Sequence, residues 1–352
     1  MIVTDISLRN WRNHESLSVT PSPKVNLIIG SNGSGKTNLA EAIYYLSLGR
    51  TWRGLGGSEL IRDGEQEAIV KASVKEGDIV RRLEFDVYSK RRAIYLNEKP
   101  IKRLSDLSKA SNVIAFSPQN TSIFSGPPAN RRDFLDLAIA KEDPTHINNL
   151  NAFLKILQER NAVLKNEIRD DTYLEVLTER LIELQRPIVE KRSNYIRRLA
   201  PVIGEIASKI FSDKRVVGVE YAPFVPLEGD YEAEARRIYN DSLPADIARG
   251  TTSKGIHKED YTVTLDGKDV GAYGSQGENR ILSLAMHLAP FFLVEDENKK
   301  PIVVLDDVYS ELDEAHAANL SKLLWEMGQV FVTTTNKNIE NASVIEVSKK
   351  LP

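Results

Sequence analysis

Gly30-Ser31-Asn32-Gly33-Ser34-Gly35-Lys36-Thr37 follows the apolar run Val25-Asn26-Leu27-Ile28-Ile29 and precedes Asn38-Leu39-Ala40-Glu41-Ala42-Ile43, which has helical character. Strand, Gly-x4-Gly-Lys-Thr and helix, in that order, is the context a phosphate-binding P-loop requires. Glycines let backbone N–H groups turn inward around the phosphates, and the positive end of the following helix adds to that field. In this reading the loop from Gly30 to Gly35, including Ser31, Asn32, Gly33 and Ser34, cradles the phosphates. Lys36 reaches the β- and γ-phosphates, and the Thr37 hydroxyl binds Mg²⁺. The expectation is an α/β chain that binds a nucleoside triphosphate.

Working outward, Pro301-Ile302-Val303-Val304-Leu305-Asp306-Asp307 is an apolar strand ending in two carboxylates. A buried strand that delivers an Asp at its C-terminal end is what a P-loop enzyme uses to hold the Mg²⁺ shell. Asp306 is the expected Mg²⁺ residue, and Asp307 the candidate to orient or deprotonate the attacking water. An acidic turn after a core strand is the plainer alternative, and the pairing with a P-loop weighs against it. Between the two motifs, Tyr273-Gly274-Ser275-Gln276-Gly277-Glu278-Asn279-Arg280 opens an expected helix over Arg280–Leu293. Taken alone, Ser275 reads as a simple N-cap. A small-residue loop at a helix N-terminus is also an anion site, and the P-loop already holds this chain's own phosphates. Ser275, Gln276 and Gly277 therefore point to the nucleotide of another subunit.

The 352 residues carry a formal net charge of −3, so any nucleic-acid contact must come from local basic patches. There is no cysteine, which excludes disulfides, thiolate metal sites and cysteine nucleophiles. No apolar run approaches bilayer length, and Met1–Ile6 reads as a strand start rather than a signal peptide. A cytoplasmic protein with no membrane partner is expected.

Short β-type runs fill the first third: Ile2–Leu8, Val25–Ile29, Ala68–Val74, Val80–Tyr88 and Ala93–Leu96, with a turn at Asn97–Pro100. From about 126 to 212 the spacing is helical, as in Leu150, Leu154, Leu157 and in Leu174, Leu177, Leu181, Leu184; Pro187 and Pro201 are expected to kink or start helices. Pro223–Asp230 reads as a connection, Tyr261–Val270 as a hairpin, and Ile302–Leu305 and Val330–Thr334 as buried strands. The expected organisation is one P-loop lobe built from both ends of the chain, with a helical lobe inserted between them.

Chain order and motif content give a resemblance to the ABC-type ATPases of the SMC and Rad50 class, within which the RecF family is the nearest match. The marks are Leu8-Arg9-Asn10-Trp11-Arg12-Asn13, Gly30–Ile43, Gly49-Arg50-Thr51-Trp52-Arg53, Phe116-Ser117-Pro118-Gln119, Gly126-Pro127-Pro128 and Arg131-Arg132-Asp133-Phe134-Leu135-Asp136. They continue with Gly255-Ile256-His257-Lys258-Glu259-Asp260, Ser275-Gln276-Gly277 and Leu305–Asp313. The resemblance implies an ABC-type P-loop ATPase head with an inserted helical lobe and no long coiled coil. Its expected boundaries are lobe I over 1–115 and 246–352 and helical lobe II over 116–245.

The same resemblance implies an ATP-dependent homodimer with nucleotide sandwiched between subunits, binding DNA at duplex and single-strand/duplex junctions in recombinational repair and working with RecR/RecO-type mediator proteins. Lys36, Thr37, Asp306 and Gln119 would act on ATP and Mg²⁺ in cis, Gln119 as a catalytic and metal-facing residue. Ser275 and Gly277 would close over the partner's γ-phosphate, and Asp313 would belong to the interface loop. Three departures stand out. Asp307 replaces the usual Glu, and its shorter arm implies slow turnover; Val332-Thr333-Thr334-Thr335-Asn336 offers hydroxyls and an amide in place of a switch His; and Gly277-Glu278 replaces a Gly-Gln pair.

Two basic stretches are candidates for DNA phosphates. One is Arg81, Arg82, Lys90, Arg91, Arg92, Lys99, Lys102 and Arg103; the other is Arg186, Lys191, Arg192, Arg197, Arg198, Lys209, Lys214 and Arg215. Either is also consistent with a solvated charged face. His257 shows no metal-ligand spacing and reads as a structural or interface histidine. A GTPase is disfavoured because Asn336-Lys337-Asn338 is followed by Ile339, which cannot accept the guanine hydrogen bonds. Another SMC-like ATPase of DNA repair or phage defence, or a small-molecule P-loop kinase, is the alternative. The kinase would not need Ser275-Gln276-Gly277.

Overall fold

The computed structural model describes residues 1–101, 104–166, 170–335 and 339–348. Lys102, Arg103 and Asn336-Lys337-Asn338, which enter the basic-stretch, switch and GTPase readings, lie outside the described residues. In chain order the first elements are β1 (Ile2–Trp11), β2 (His14–Val19), β3 (Val25–Ile29), α1 (Lys36–Leu48), α2 (Gly57–Leu60), β4 (Glu67–Glu76), β5 (Ile79–Tyr88), β6 (Arg92–Leu96), β7 (Lys99–Pro100), α3 (Leu104–Ala110) and β8 (Val113–Phe116). Next come α4 (Pro128–Glu142), α5 (Thr145–Leu164), α6 (Asp171–Phe211), β9 (Val217–Ala222), α7 (Tyr231–Arg249), β10 (Asp260–Leu265), β11 (Lys268–Asp269) and α8 (Val270–Tyr273). The chain closes with α9 (Gln276–Leu293), β12 (Ile302–Leu305), α10 (Glu314–Trp325), β13 (Val330–Thr334) and β14 (Ser343–Glu346).

The chain divides into two compact units. Unit 1 holds Met1–Thr121, Val202–Arg215 and Ser275–Pro352; unit 2 holds Ser122–Pro201 and Val216–Gly274. Against the expected boundaries, residues 116–121 and Val202–Arg215 sit in unit 1 and the stretch from 246 to Gly274 in unit 2.

Unit 1 contains two sheets. One is fully parallel, in the order β14-β3-β13-β12-β8, with Val330 opposite Val25 and Ile302 opposite Val113. Its central strands are predominantly apolar and buried along nearly their whole length, as strands covered on both faces must be. The other is antiparallel, in the order β2-β1-β4-β5-β6-β7, and β4 alternates between buried and open positions as a one-sided strand does. One core joins them, including Trp11, Leu39, Ile43, Leu46, Val70, Phe85, Val304 and Phe331.

Unit 2 packs α5, the first part of α6 and α7 around Phe153, Leu181, Ile182, Ile188, Tyr231 and Tyr239. It also holds the small sheet β11-β10-β9. The β10–β11 turn places Asp266 and Gly267 at φ 51° and 79°, the backbone a tight two-residue hairpin demands. α6 runs for 41 residues through both Pro187 and Pro201, so neither proline starts a helix. α9 begins at Gln276, a turn earlier than its apolar period indicates, because Ser275 caps it. No helix among the described residues is long and apolar enough to cross a membrane.

Candidate nucleotide site

The P-loop leaves the C-terminal end of β3 and enters α1 at Lys36. Gly35 is the N-cap residue at φ 106°, a backbone that L side chains rarely adopt. Lys36 Nζ donates to the carbonyls of Gly30 and Ser31 at 2.8 and 3.1 Å, so its charge rests on the loop that surrounds it. A concavity of about 520 Å³ beside the loop is lined by Arg12, Asn13, Asn38, Glu59, Ile61, Arg62 and Asp63.

Strand order brings the acidic motif to the same place. β13 lies between β3 and β12, so the loop after β3 and the carboxylates after β12 open at one edge of the sheet, the usual ligand edge of parallel sheets. Thr37 Oγ1 donates to Asp306 Oδ1 at 2.8 Å. Thr333, on β13, donates its hydroxyl to the same Oδ1 at 2.7 Å and accepts the Asp307 N–H at 2.9 Å. Thr333 thus positions both acidic residues, a role the sequence shows only as a buried Thr where a switch His was sought. Burial pushes the Asp306 carboxyl above the usual range, the two hydroxyl donors pull it back, and the neighbouring Asp307 charge adds to the rise.

Mg²⁺ takes oxygen ligands, one or two from carboxylates and the rest from phosphates and water. The Thr37 hydroxyl and the buried Asp306 carboxylate fit that donor set, since a carboxyl destabilised by burial gains from a nearby cation. Among the described residues no group of three or more His, Cys, Asp or Glu could form an all-protein metal cage.

Asp307 is exposed and sits at φ 50°, in the left-handed region. Arg280 of α9, buried, braces it: Nη2 donates to the carbonyls of Asp307 and Val308 at 2.9 and 3.2 Å, and Nη1 pairs with Glu311 at 2.6 Å. Gln119 is exposed in the short turn Pro118–Ser122 that follows β8, the strand paired with β12. Its neighbour Asn120 accepts the Ser283 hydroxyl of α9 through its carbonyl at 2.6 Å.

Ser275, Gln276 and Gly277 lie exposed at the N-terminus of α9. Ser275 Oγ accepts the Glu278 N–H at 3.2 Å, and Glu278 Oε2 accepts the Ser275 N–H at 2.9 Å, a reciprocal capping box. That explains Glu278: its carboxyl is held low first by the Ser275 backbone and hydroxyl, and it also pairs with Arg215 at 2.8 Å. Asp313 caps α10, accepting the His316 N–H at 2.9 Å.

The two basic stretches differ in how much charge is left open. In the second, Arg186 pairs with Glu190 and Glu232, Lys191 with Asp143, Arg198 with Glu142, Lys209 with Glu326 and Arg215 with Glu278. Arg192 is buried altogether, which corrects its reading as part of a basic face. In the first, Arg81 pairs with Glu76 and Arg92 donates to the Gly49 carbonyl, while Arg82, Lys90, Arg91 and Lys99 stand exposed on β5, β7 and the β5–β6 turn. His257 lies in unit 2 with Nε2 3.0 Å from the Thr252 carbonyl, and burial pushes its pKa down to about 4.

Comparison with known proteins follows the same lines. The family model described as RecF/RecN/SMC N terminal domain matches residues 2–350. The DNA replication and repair protein RecF of Bacillus cereus (strain G9842) is 32% identical, over 99% of this chain and 97% of its own length. That of Bacillus mycoides (strain KBAB4) is 33% identical, over 98% of this chain and 95% of its own. A solved structure of the recombination mediator protein RecF-ATP in the RecFOR pathway gives a TM-score of 0.89 at 28% identity, covering 99% of this chain and 96% of that one. The Smc head domain of Pyrococcus furiosus, with an extended coiled coil and bound to the C-terminal domain of ScpA, gives 0.61 at 18% identity, covering 99% and 94%, and shares the fold.

Proposed function

The chain belongs to the RecF/RecN/SMC N-terminal domain family, with the fold of an ABC-type ATPase head and no long coiled coil among its described residues, and from that premise we propose that it is a RecF-type ATPase of DNA replication and repair. ATP binding closes a homodimer on DNA, slow hydrolysis reopens it, and the closed form recruits RecR/RecO-type mediator proteins. The observation that carries this reading is the joining of Thr37, Asp306 and Thr333 at the mouth of the P-loop.

In the proposed cycle the loop amides and Lys36 bind the phosphates, and Thr37 and Asp306 hold Mg²⁺. When bound, that ion neutralises phosphate charge. Asp307 orients the attacking water and takes its proton, and Gln119 faces the same space. A carboxylate on the short Asp side chain reaches the water less well than a Glu would, which suits a timing role. Ser275 and Gly277, at a helix N-terminus open to solvent, would meet the γ-phosphate of a second subunit, with Asp313 beside that interface. DNA phosphates are assigned to Arg82, Lys90, Arg91 and Lys99, whose charges remain exposed, rather than to the second stretch, most of whose charges are paired internally and where Arg197 and Lys214 are exposed. A cytoplasmic location goes with this role.

The test is molar mass by light scattering with Mg²⁺-ATP and with Mg²⁺-ADP. Wild type should be dimeric only with ATP; Lys36→Met should bind no nucleotide, and Ser275→Arg should bind ATP yet stay monomeric and inactive. Normal hydrolysis by Ser275→Arg would end the shared-site reading.

A further inference from the structure

The stretch Leu8–Asn13 carries part of the family resemblance, yet nothing in the proposed cycle uses it. Its end forms the turn between β1 and β2, Trp11-Arg12-Asn13-His14, and this turn is bonded to the P-loop. Trp11, fully buried, donates its Nε1–H to the Asn38 carbonyl at 2.9 Å. Asn38 Nδ2 donates to Asn13 Oδ1 at 2.7 Å, and Asn13 Nδ2 donates to the Ser34 carbonyl at 3.0 Å. His14, also buried, places Nε2 3.1 Å from the Gly35 carbonyl. A carbonyl only accepts, so that nitrogen carries the proton. The same carbonyl accepts the Leu39 N–H at 3.0 Å, the first bond of α1.

The two carbonyls held this way belong to the last two peptide units before Lys36. A trans peptide is planar, with its N–H pointing opposite to its C=O. Fixing the Ser34 and Gly35 carbonyls on the side of the turn therefore fixes the N–H groups of Gly35 and Lys36 on the other side. Space confirms how tightly the parts fit: a Cβ on Gly35 would stand 2.5 Å from Asn13 Oδ1 and 2.6 Å from His14 Nε2. Burial holds His14 below the ordinary histidine range, against the opposing pull of the Gly35 carbonyl, so the ring is neutral near pH 7.

We propose that Asn13 and His14 are positioning residues of the nucleotide site, aiming the Gly35 and Lys36 amides at the phosphates by clamping the carbonyls behind them. The proposal rests on the reading of this loop as a triphosphate cradle and is independent of hydrolysis or dimerisation.

The experiment compares His14→Gln, which keeps an N–H donor, with His14→Leu, which keeps the bulk alone, and adds Asn13→Asp, which keeps the acceptor for Asn38 and loses the donor to Ser34. Amide hydrogen exchange over residues 30–37 is read in the free protein, and affinity is read with a fluorescent ATP analogue and with its ADP counterpart. His14→Leu and Asn13→Asp should speed exchange at Ser34, whose N–H is bonded within the loop to the Ser31 carbonyl, by about tenfold and weaken both nucleotides by about tenfold, the worth of one lost hydrogen bond that holds the loop. His14→Gln should stay within about threefold of wild type. Equal losses in His14→Gln and His14→Leu, or a lowered melting temperature with no change in loop exchange, would overturn the proposal. Failure of the cradle reading itself shows separately, as wild-type protein with no affinity for ATP, and the proposal falls with it.

Discussion

The charges gathered around Lys36 in unit 1 and those gathered around Arg192 in unit 2 are satisfied in opposite ways. Lys36 rests on two neutral carbonyls, and Asp306 is held by two neutral hydroxyls. Arg192 instead makes two bonds to Asp136, at 2.8 and 2.7 Å, one to Glu259 at 2.6 Å and one to the Ile256 carbonyl at 2.9 Å. Asp136 also meets His146 at 2.8 Å, and Glu259 accepts from Tyr221 and from the Phe224 N–H. Arg160 repeats the pattern with Asp246, Thr178 and Thr252. A charge held only by dipoles keeps most of its field for a ligand. One surrounded by opposite charge has been committed to the fold.

The sharpest way to break that contrast is Arg192→Met. Removing one member of a buried ionic cluster leaves the other carboxylates desolvated without compensation, and about 3–5 kcal/mol of stability should be lost at pH 7. Acid should narrow the difference. Burial alone would raise Asp136, but hydrogen bonds from His146 and Arg192 reverse this and hold it below the ordinary range. In wild type its contribution is therefore present above the ordinary Asp range near 3.9 and is lost as pH falls further, through its depressed value. Glu259 is raised by burial even with Arg192 beside it. Without the guanidinium, burial should raise both acids, so protonation between pH 7 and 4 should recover part of the loss. Thermal unfolding at the two pH values checks this; a wild-type melting curve for the variant would mean that the cluster does not hold unit 2 together.

Asp307→Asn should do the reverse, removing chemistry and sparing stability. The side chain is exposed, and what the fold needs from this residue is backbone, gripped by Thr333 and Arg280 at φ 50°. Asn tolerates the left-handed region as well as Asp does. Single-turnover ATP hydrolysis should fall by about 10²- to 10³-fold, the worth of a general base, with ATP affinity and melting temperature close to wild type. A variant that turned over rapidly would remove Asp307 from its role. One that melted early would move it to the structural side of the comparison.

The legibility of the two regions follows from the same physics. A phosphate cradle is a local device, so Gly30–Thr37 and the end of β12 could be read from adjacent residues. Val330–Thr334 was legible as a buried strand, but not its place in the sheet: Thr333 acts only because strand order inserts β13 between β3 and β12. Unit 2 is non-local throughout. Asp136 lies on α4, Arg192 on α6 and Glu259 just before β10, so sequence counts placed Arg192 in a basic stretch although its charge is consumed inside. The stretches Arg131–Asp136 and Gly255–Asp260, read as family marks without a role, meet through Arg131 and Asp260 at 2.7 Å and through Arg132 and the Glu259 carbonyl at 2.8 Å. Helix continuity through Pro187 and Pro201 escaped for a similar reason, since packing of the surrounding turns outweighs the local penalty of a proline.

The comparison makes its finest distinction at the surface, where both basic stretches look alike in sequence. Arg82 and Arg91 are exposed, Arg91 lying over the Tyr88 ring at 4.8 Å, whereas Arg186 and Arg198 are engaged by carboxylates. Reversing Arg82 and Arg91 together, as Arg82→Glu with Arg91→Glu, should lower duplex affinity by roughly tenfold. It should also reduce the slope of log K against log salt by about 2, the release expected when two phosphate contacts disappear. Arg186→Glu with Arg198→Glu changes the net charge equally but breaks internal pairs, so it should leave that slope unchanged and cost little stability, because exposed ion pairs are screened by solvent. Titration of a labelled gapped duplex over a range of salt separates the two. Equal slopes for both double variants would mean that total charge, and not the freedom of particular guanidinium groups, governs DNA binding.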